Sequence, residues 1–280
     1  MEAHLRELQA VGHTLVPDAI PPQLLGRLQS AFQRRVEATQ QREPRGRWLQ
    51  HSDPGGRGEN PHCVVDLVRV CEEEPDLEAL LDLPPAYDIA RAAMAQGRGA
   101  APGTMRLFTG PICHHLPPQT PGPAQPAYHN DGDYLRLTFV LRDLPPGGGG
   151  TAYLPASHHV GELGAVSSSA DSLTGPVAGG PEALVAKAGD CWVNWTTLWH
   201  SRAANTSRSP RQLVWQVYRR ATQATSERAH GLLSREYVEA GMAGLRGWSE
   251  ERKALVGKDA WRPGAGVEPS VGETALRPSM

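Results

Sequence analysis

The stretch from Met105 to Arg219 restricts the fold of this 280-residue chain most, because it consists of short strand-like segments separated by glycine and proline. In residues 135–142, leucine and phenylalanine alternate with other residues, as expected of a strand with one buried face. Further strand candidates are Met105–Phe108, Thr151–Leu154, Ala183–Ala186, Cys191–Trp195 and Leu213–Arg219. Many short strands with such turns predict a β-sandwich or barrel.

The first hundred residues have helical periodicity instead. After Pro21-Pro22, apolar residues recur every four positions from Leu24 to Val36, which predicts an amphipathic helix with proline at its start. Two further helices are predicted at 77–81 and at Tyr87–Met94, and a short strand at Gly12–Val16. Long irregular segments are predicted at Pro111–Pro126 and Gly161–Gly180.

Charge and cysteine content exclude several classes of protein. A formal net charge of -2 gives no basic surface for nucleic acid, and the sequence has no apolar run of membrane-spanning length. The start of the chain lacks the features of a signal peptide, and the four cysteines form no Cys-x-x-Cys pair. We therefore expect a soluble, cytoplasmic protein with reduced thiols. The strong excess of arginine over lysine indicates GC-rich coding and a bacterial source.

One cluster of chemically useful residues is His129-Asn130-Asp131. Residues two apart in an extended strand project to the same side, so His129 and Asp131 can bind one metal ion. His200, 71 residues further on, is the candidate third ligand. Two imidazoles and one carboxylate leave one side of a ferrous ion open for co-substrate and dioxygen, which favours iron. Zinc is the alternative, but the His-Glu-x-x-His pattern of its hydrolases is absent from the sequence.

Arg211 follows His200 by 11 residues and begins the next strand candidate. Its planar guanidinium can bind both oxygens of a carboxylate, as the far end of a dicarboxylate co-substrate requires. Other histidines have structural interpretations: we expect His114 and His115 in a surface loop near the entrance, and His158 and His159 as structural loop residues. Four tryptophans in strand-like segments are expected in the core, and one or two of them are expected to face the cavity. They are Trp192, Trp195, Trp199 and Trp215.

With these residues in place, most of the chain resembles the phytanoyl-CoA dioxygenase-like family of iron(II)- and 2-oxoglutarate-dependent oxygenases. The resemblance rests on an opening helix–turn pattern before 17–20, a Pro-x-Ser-His loop at 155–158, Gly189-Asp190 ahead of the distal histidine, and Asn205 at the family's turn asparagine. Arg202 departs from the pattern, because many members have a small hydroxyl residue there.

The resemblance implies that His129, Asp131 and His200 bind iron(II) and that Arg211 binds the distal carboxylate of 2-oxoglutarate. It also implies a hydrogen bond from Thr138 to this co-substrate, with an ordinary strand role for Thr138 as the alternative. The implied fold is mainly β with flanking helices, a double-stranded β-helix (jelly roll, cupin-like).

The same resemblance implies a single dioxygenase domain over residues 1–280. Its parts are an N-terminal helical region at about 1–100, a jelly-roll core at about 104–220 and a C-terminal helical tail or lid at about 221–280. Within that tail, we predict one helix around Ser226–Leu255 and a poorly ordered end.

The implied reaction uses 2-oxoglutarate and O2, releases succinate and carbon dioxide, and hydroxylates a small molecule. Cyclisation, desaturation or epimerisation can follow the same hydrogen abstraction. We expect a substrate from bacterial specialised metabolism, such as antibiotic biosynthesis, with an acyl-CoA thioester as the alternative substrate class. A non-catalytic jelly-roll protein that binds a metal or ligand is the alternative function. The sequence gives no prediction of oligomeric state.

Overall fold

The computed structural model describes residues 1–42, 64–66, 70–96, 105–121, 128–159, 180–221 and 235–256. The strands of this part are β1 (His13–Val16), β2 (Val64–Asp66), β3 (Met105–Leu116), β4 (Leu135–Val140), β5 (Thr151–Tyr153), β6 (Glu182–Ala183), β7 (Cys191–Trp195), β8 (His200–Arg202) and β9 (Arg211–Arg220). They form a six-stranded sheet in the order β1-β7-β4-β9-β3-β2 and a three-stranded sheet in the order β6-β5-β8. Neighbouring strands are antiparallel in both sheets.

Helices cover the outer face of the larger sheet. They are α1 (Glu2–Val11), α2 (Pro22–Arg42), α3 (Val70–Glu73), α4 (Ala86–Gln96), α5 (Arg235–Met242) and α6 (Glu250–Val256), with 3-10 helices at Pro75–Asp82 and Ser157–His159. Leu135 and Leu137 of β4 are fully buried in one cluster with Leu28 and Phe32 of α2. The alternation of β4 therefore sends Arg136 and its same-face neighbours to the other side of the sheet.

The second core lies between the two sheets. Val140 and Trp192 of the larger sheet pack with Tyr153 of β5 and with Leu184, which follows β6. The inner face of the larger sheet is thus covered by the smaller one. This arrangement agrees with the double-stranded β-helix predicted above.

Most predicted elements are confirmed. The helix after Pro21 is α2, the helix at Tyr87–Met94 lies within α4, and the strand at Cys191–Trp195 is β7. The strand predicted at Gly12–Val16 begins one residue later, because Gly12 ends α1 in a left-handed conformation (φ 88°). The irregular segment Gly161–Gly180 lies almost wholly outside the described residues, as do the start of the predicted C-terminal helix and the end of the chain.

The prediction that His114 and His115 lie in a surface loop is wrong. The strand predicted to end at Phe108 continues as β3 to Leu116, and His115 is only 9% exposed. β3 accommodates Pro111 because its pairing with β9 shifts register between Thr109 and Ile112, where no ladder hydrogen bond from the proline nitrogen is needed.

The single C-terminal helix predicted around Ser226–Leu255 is also wrong within the described residues. Two helices, α5 and α6, are separated by a turn over 243–249. Gly244 and Gly247 adopt positive φ there, which ends the first helix. None of the helices in the described part of the chain has the length and the apolar character that a bilayer crossing requires.

Candidate metal centre

His129 and His200 are held side by side by a two-way backbone bridge. The His129 N–H donates to the His200 carbonyl at 3.0 Å, and the His200 N–H donates to the His129 carbonyl at 2.9 Å. Their ring centroids lie 4.5 Å apart. The bridge explains how two residues so far apart in sequence bring their imidazoles together.

Asp131 is positioned by a second backbone contact, since its N–H donates to the Thr196 carbonyl at 2.9 Å. One carboxylate oxygen lies 3.7 Å from His129 Nε2 and the other lies 3.3 Å from His200 Nε2. One potential ligand atom from each of the three residues lies within 4.8 Å of the others. The structure therefore brings together His129, Asp131 and His200, as the sequence predicts.

His200 presents one specific nitrogen to the triad. Its Nδ1 lies 2.8 Å from the Leu198 carbonyl, which accepts only from a protonated nitrogen. The neutral ring therefore carries its lone pair on Nε2, the nitrogen that faces Asp131. A backbone carbonyl that orients a histidine in this way is a common support for metal ligands.

The charge of Asp131 is also fixed by its surroundings. Burial raises the pKa of this carboxyl, but His200, Arg136 and His129 lower it, and together they hold the pKa well below its usual range. Asp131 is therefore an anion at neutral pH. Its side chain is 40% exposed and that of His129 is 48% exposed, so the triad is open to solvent on this side.

Arg136 contacts the triad, and the sequence analysis did not identify it. Its Nη2 donates to the Asp131 carboxylate, and its Nη1 lies 3.2 Å from His200 Nε2. The guanidinium carbon lies 5.1 Å from the ring centroid of Trp215. The available signal was the period-two pattern of β4, which places Arg136 opposite the apolar face.

Arg211 lies at the first position of β9 and is 2% exposed. Its Nη1 donates to the Gly149 carbonyl at 2.5 Å, and its Nη2 lies 3.0 Å from the His114 ring nitrogens. A charged side chain buried to this extent is held by polar partners on neighbouring elements. The neighbouring strand β4 carries Thr138, 3% exposed, on the same face as Arg136.

Of the other candidate residues, Trp192 and Trp199 are buried in the core, whereas Trp195 and Trp215 are half-buried. His158 is half-buried beside the Gln9 carbonyl and His159 is exposed, which fits structural roles.

Solved structures with the same fold include several non-haem enzymes. No protein-family model matches the sequence, and no curated protein matches it. Among solved structures, SnoN, described as a non-haem alpha-ketoglutarate-dependent epimerase from nogalamycin biosynthesis, is 18% identical with a TM-score of 0.61, covering 79% of this chain and 81% of that one.

Two further structures give the same result. SnoK, an alpha-ketoglutarate-dependent carbocyclase from nogalamycin biosynthesis, is 20% identical with a TM-score of 0.54, covering 78% of this chain and 83% of that one. EvdO2 from Micromonospora carbonacea var. aurantiaca, complexed with 2-oxoglutarate, is 16% identical with a TM-score of 0.56, covering 81% and 94%. At such identities the likeness shows the fold, and the predicted jelly roll is confirmed.

Proposed function

We propose that the protein is an iron(II)- and 2-oxoglutarate-dependent oxygenase of the phytanoyl-CoA dioxygenase-like type. The observation that carries this proposal is the triad of His129, Asp131 and His200, in which the lone-pair nitrogen of His200, Nε2, lies 3.3 Å from the carboxylate. The shared fold with SnoN, SnoK and EvdO2 supports it.

The donor set fits iron(II). Two imidazole nitrogens and one carboxylate oxygen lie together, and solvent reaches the site past His129 and Asp131. This is the facial arrangement that non-haem iron oxygenases use, with the remaining coordination positions left to ligands. Bound iron would supply the redox chemistry that couples O2 and 2-oxoglutarate, with release of succinate and carbon dioxide, to oxidation of a substrate C–H bond.

Arg211 is the proposed partner of the distal carboxylate of 2-oxoglutarate. The guanidinium is buried and held by the Gly149 carbonyl and His114, so its orientation is fixed before the co-substrate binds. Thr138 is proposed to donate its hydroxyl to the same molecule, because it lies on the inner face of β4, next to β9.

For the substrate, we propose a small molecule of bacterial specialised metabolism. SnoN is known in complex with nogalamycin RO, and HygX from Streptomyces hygroscopicus with hygromycin B. Hydroxylation, ring closure, desaturation and epimerisation are all open to such an enzyme. We further propose that the described elements form one domain and that the enzyme works in the cytoplasm on a free small molecule, without nucleic acid or membrane.

The test is oxygen-dependent formation of succinate from 2-oxoglutarate by the iron-reconstituted protein, measured by mass spectrometry. We expect succinate from the unmodified protein and from His159→Ala, which changes an exposed histidine outside the triad. We expect none above background from His129→Ala. Equal succinate from both variants would contradict the proposal, and its absence from all three proteins across candidate substrates would favour a non-catalytic ligand-binding protein.

A further inference from the structure

We infer that Arg136 is a ligand-binding residue of the metal centre whose guanidinium changes partners when the metal binds. Without metal, Arg136 balances the charge of Asp131. With metal, it binds the near carboxylate of 2-oxoglutarate, which is the one attached to the 2-oxo carbon. This inference rests on the proposed function, and the test below distinguishes a failure of the inference from a failure of the proposed function.

The contacts of Arg136 show that its guanidinium occupies the position next to Asp131 and His200 where a metal cation would bind. It donates to the Asp131 carboxylate, and its Nη1 lies within hydrogen-bond distance of His200 Nε2. Two of the three proposed metal ligands therefore direct electron pairs at the guanidinium. Only 13% of the Arg136 side chain is exposed, so the charge needs a nearby anion.

These contacts and a bound metal are incompatible at His200. A neutral imidazole with a protonated Nδ1 has one in-plane lone pair, on Nε2, and it serves either Arg136 or a metal ion. A divalent cation would also repel the adjacent guanidinium. Metal binding must therefore release Nη1 of Arg136.

After this release, the Arg136 guanidinium would have N–H donors available for a ligand of the metal centre. Arg136 Nε is already buried without a hydrogen-bond acceptor among the described residues. Trp215 supports the guanidinium at 5.1 Å, which limits how far it can move. A planar cation with unused N–H groups beside a metal centre matches the geometry of a carboxylate.

The two ends of 2-oxoglutarate require two different cations. Arg211, at the start of β9, is the proposed partner of the far carboxylate. The oxo-acid end would be held beside the triad by a bound metal, and Arg136 is the arginine that contacts Asp131 and His200 among the described residues. The geometry therefore assigns the near carboxylate to Arg136.

The test compares Arg136→Leu with the matched control Arg220→Leu. Arg220 also pairs with an aspartate, Asp133 at 2.9 Å, and also lies over a tryptophan, Trp195 at 5.6 Å. Calorimetry with Ni(II) alone measures metal affinity, and a second titration with 2-oxoglutarate measures co-substrate affinity of the Ni(II)-loaded protein.

We expect Arg136→Leu to bind Ni(II) alone more tightly and 2-oxoglutarate more weakly, each by roughly tenfold, the effect of one charged contact. Arg220→Leu should change neither. A role only in packing or stability would not give opposite signs. If the leucine variant does not fold, Arg136→Gln is measured in its place.

A third ligand separates the two carboxylates. 2-Oxopentanoate has the oxo-acid end and a methyl group in place of the far carboxylate. Its binding should weaken in Arg136→Leu by about the same factor as that of 2-oxoglutarate, and should not change in Arg211→Ala.

Three results would overturn the inference: weaker Ni(II) binding in Arg136→Leu, unchanged 2-oxoglutarate affinity, or unchanged 2-oxopentanoate affinity with a defect only for a substrate. Failure of the unmodified protein to bind Ni(II) at all would instead contradict the proposed function.

Discussion

At the scale of single residues, one backbone contact of His200 determines which ring nitrogen faces the other two members of the triad. The Leu198 carbonyl accepts a hydrogen bond from Nδ1–H, so the lone pair of the ring is on Nε2, which lies 3.3 Å from the carboxylate of Asp131. Arg211 is oriented in the same way, because the Gly149 carbonyl fixes its guanidinium. Preorganisation of this kind reduces the entropy lost when ligands bind.

Replacing Arg211 tests whether its planar guanidinium is needed to bind the distal carboxylate of 2-oxoglutarate. We expect Arg211→Lys to raise the apparent KM for 2-oxoglutarate and Arg211→Ala to raise it further, losing roughly 2–5 kcal/mol of binding, because lysine offers a point charge only. Steady-state kinetics measure the change. Arg202→Ala is the control, since this half-buried residue of β8 is the other arginine near the distal histidine. If both Arg211 variants bind 2-oxoglutarate as tightly as the unmodified protein does and Arg202→Ala binds it more weakly, the distal carboxylate is assigned to Arg202.

The identity of Asp131 predicts the group transferred to substrate. In the proposed iron site this carboxylate would supply the negative ligand in place of a halide, so the product should carry oxygen or a new bond and no chlorine. Asp131→Gly should lose most turnover because metal binding weakens, with at most traces of chlorination in added chloride. Mass spectrometry of the product in chloride buffer checks this by isotope pattern. A chlorinated product from the unmodified enzyme would refute it.

The triad could be predicted from sequence because His129 and Asp131 are two residues apart on an extended segment, and because Arg211 follows the third member, His200, by 11 residues. Arg136 could not. Alternation in β4 shows only that Arg136 lies opposite Leu135 and Leu137. That this face is enclosed by a second sheet is a tertiary property, visible in the packing of Val140 and Trp192 against Tyr153.

At the scale of elements, the loop between β8 and β9 determines where Arg211 begins its strand. Asn205 is fully buried, and its Nδ2 donates to the carbonyls of Pro117 and Ser209, both at 2.9 Å. Its Oδ1 accepts from the Ser207 hydroxyl at 2.7 Å. One side chain thus joins the end of β3 to the loop that precedes β9.

Removing this side chain should therefore affect stability and co-substrate binding together. We expect Asn205→Ala to lower the free energy of unfolding by about 2–4 kcal/mol, since several buried carbonyls lose their donor, and to raise the KM for 2-oxoglutarate. Urea unfolding and kinetics measure the two effects. Thr206→Ala, at the exposed neighbouring position, should change little. Unchanged KM in a destabilised Asn205→Ala would show that the loop does not position Arg211.

The sequence predicts an element's boundaries correctly where local residue periodicity determines them. It does not where hydrogen-bonded pairing with a distant strand determines them. α2 follows from its proline and its four-residue spacing. β3 was predicted too short, because Pro111 normally ends a strand and only the register shift against β9 allows it to continue. The split between α5 and α6 depends on two glycines that helical periodicity alone does not reveal.

At the scale of the whole molecule, one buried carboxylate connects distant parts of the chain. Glu78, in the first 3-10 helix, accepts from Trp248 Nε1 and Arg252 Nη1, both at 2.8 Å, and from the Tyr237 hydroxyl. The described C-terminal helices are thereby fixed to the helical layer on the outer face of the larger sheet. Partners more than 150 residues away could not be identified from local sequence.

Two histidines whose rings are partly or fully shielded from solvent, His115 and His158, make stability depend on pH. Burial, with the charges of Arg211 and Arg142, lowers the pKa of His115 from 6.5 to about 4. The unfolded chain therefore takes up this proton first, and stability falls as pH drops from about 6.5 to about 4, by up to about 3 kcal/mol. Burial also lowers the pKa of His158 to about 4, so it acts over the same range.

We expect His115→Gln to lose less stability than the unmodified protein between pH 7.5 and pH 4.5. Urea unfolding of the metal-free proteins at both pH values measures the difference. Above pH 7 the imidazole is neutral in both states, so that measurement isolates any packing effect of the substitution. Parallel loss in the two proteins would contradict the assignment to His115.

We propose that His129, Asp131 and His200 bind iron(II) in a form that accepts 2-oxoglutarate. The direct measurement is the visible absorption spectrum under anaerobic conditions after addition of iron(II) and then 2-oxoglutarate. We predict a weak charge-transfer band for the unmodified protein and for His159→Ala, and no band for His129→Ala or His200→Ala. An unchanged band in either triad variant, or no band in the unmodified protein, would contradict the account.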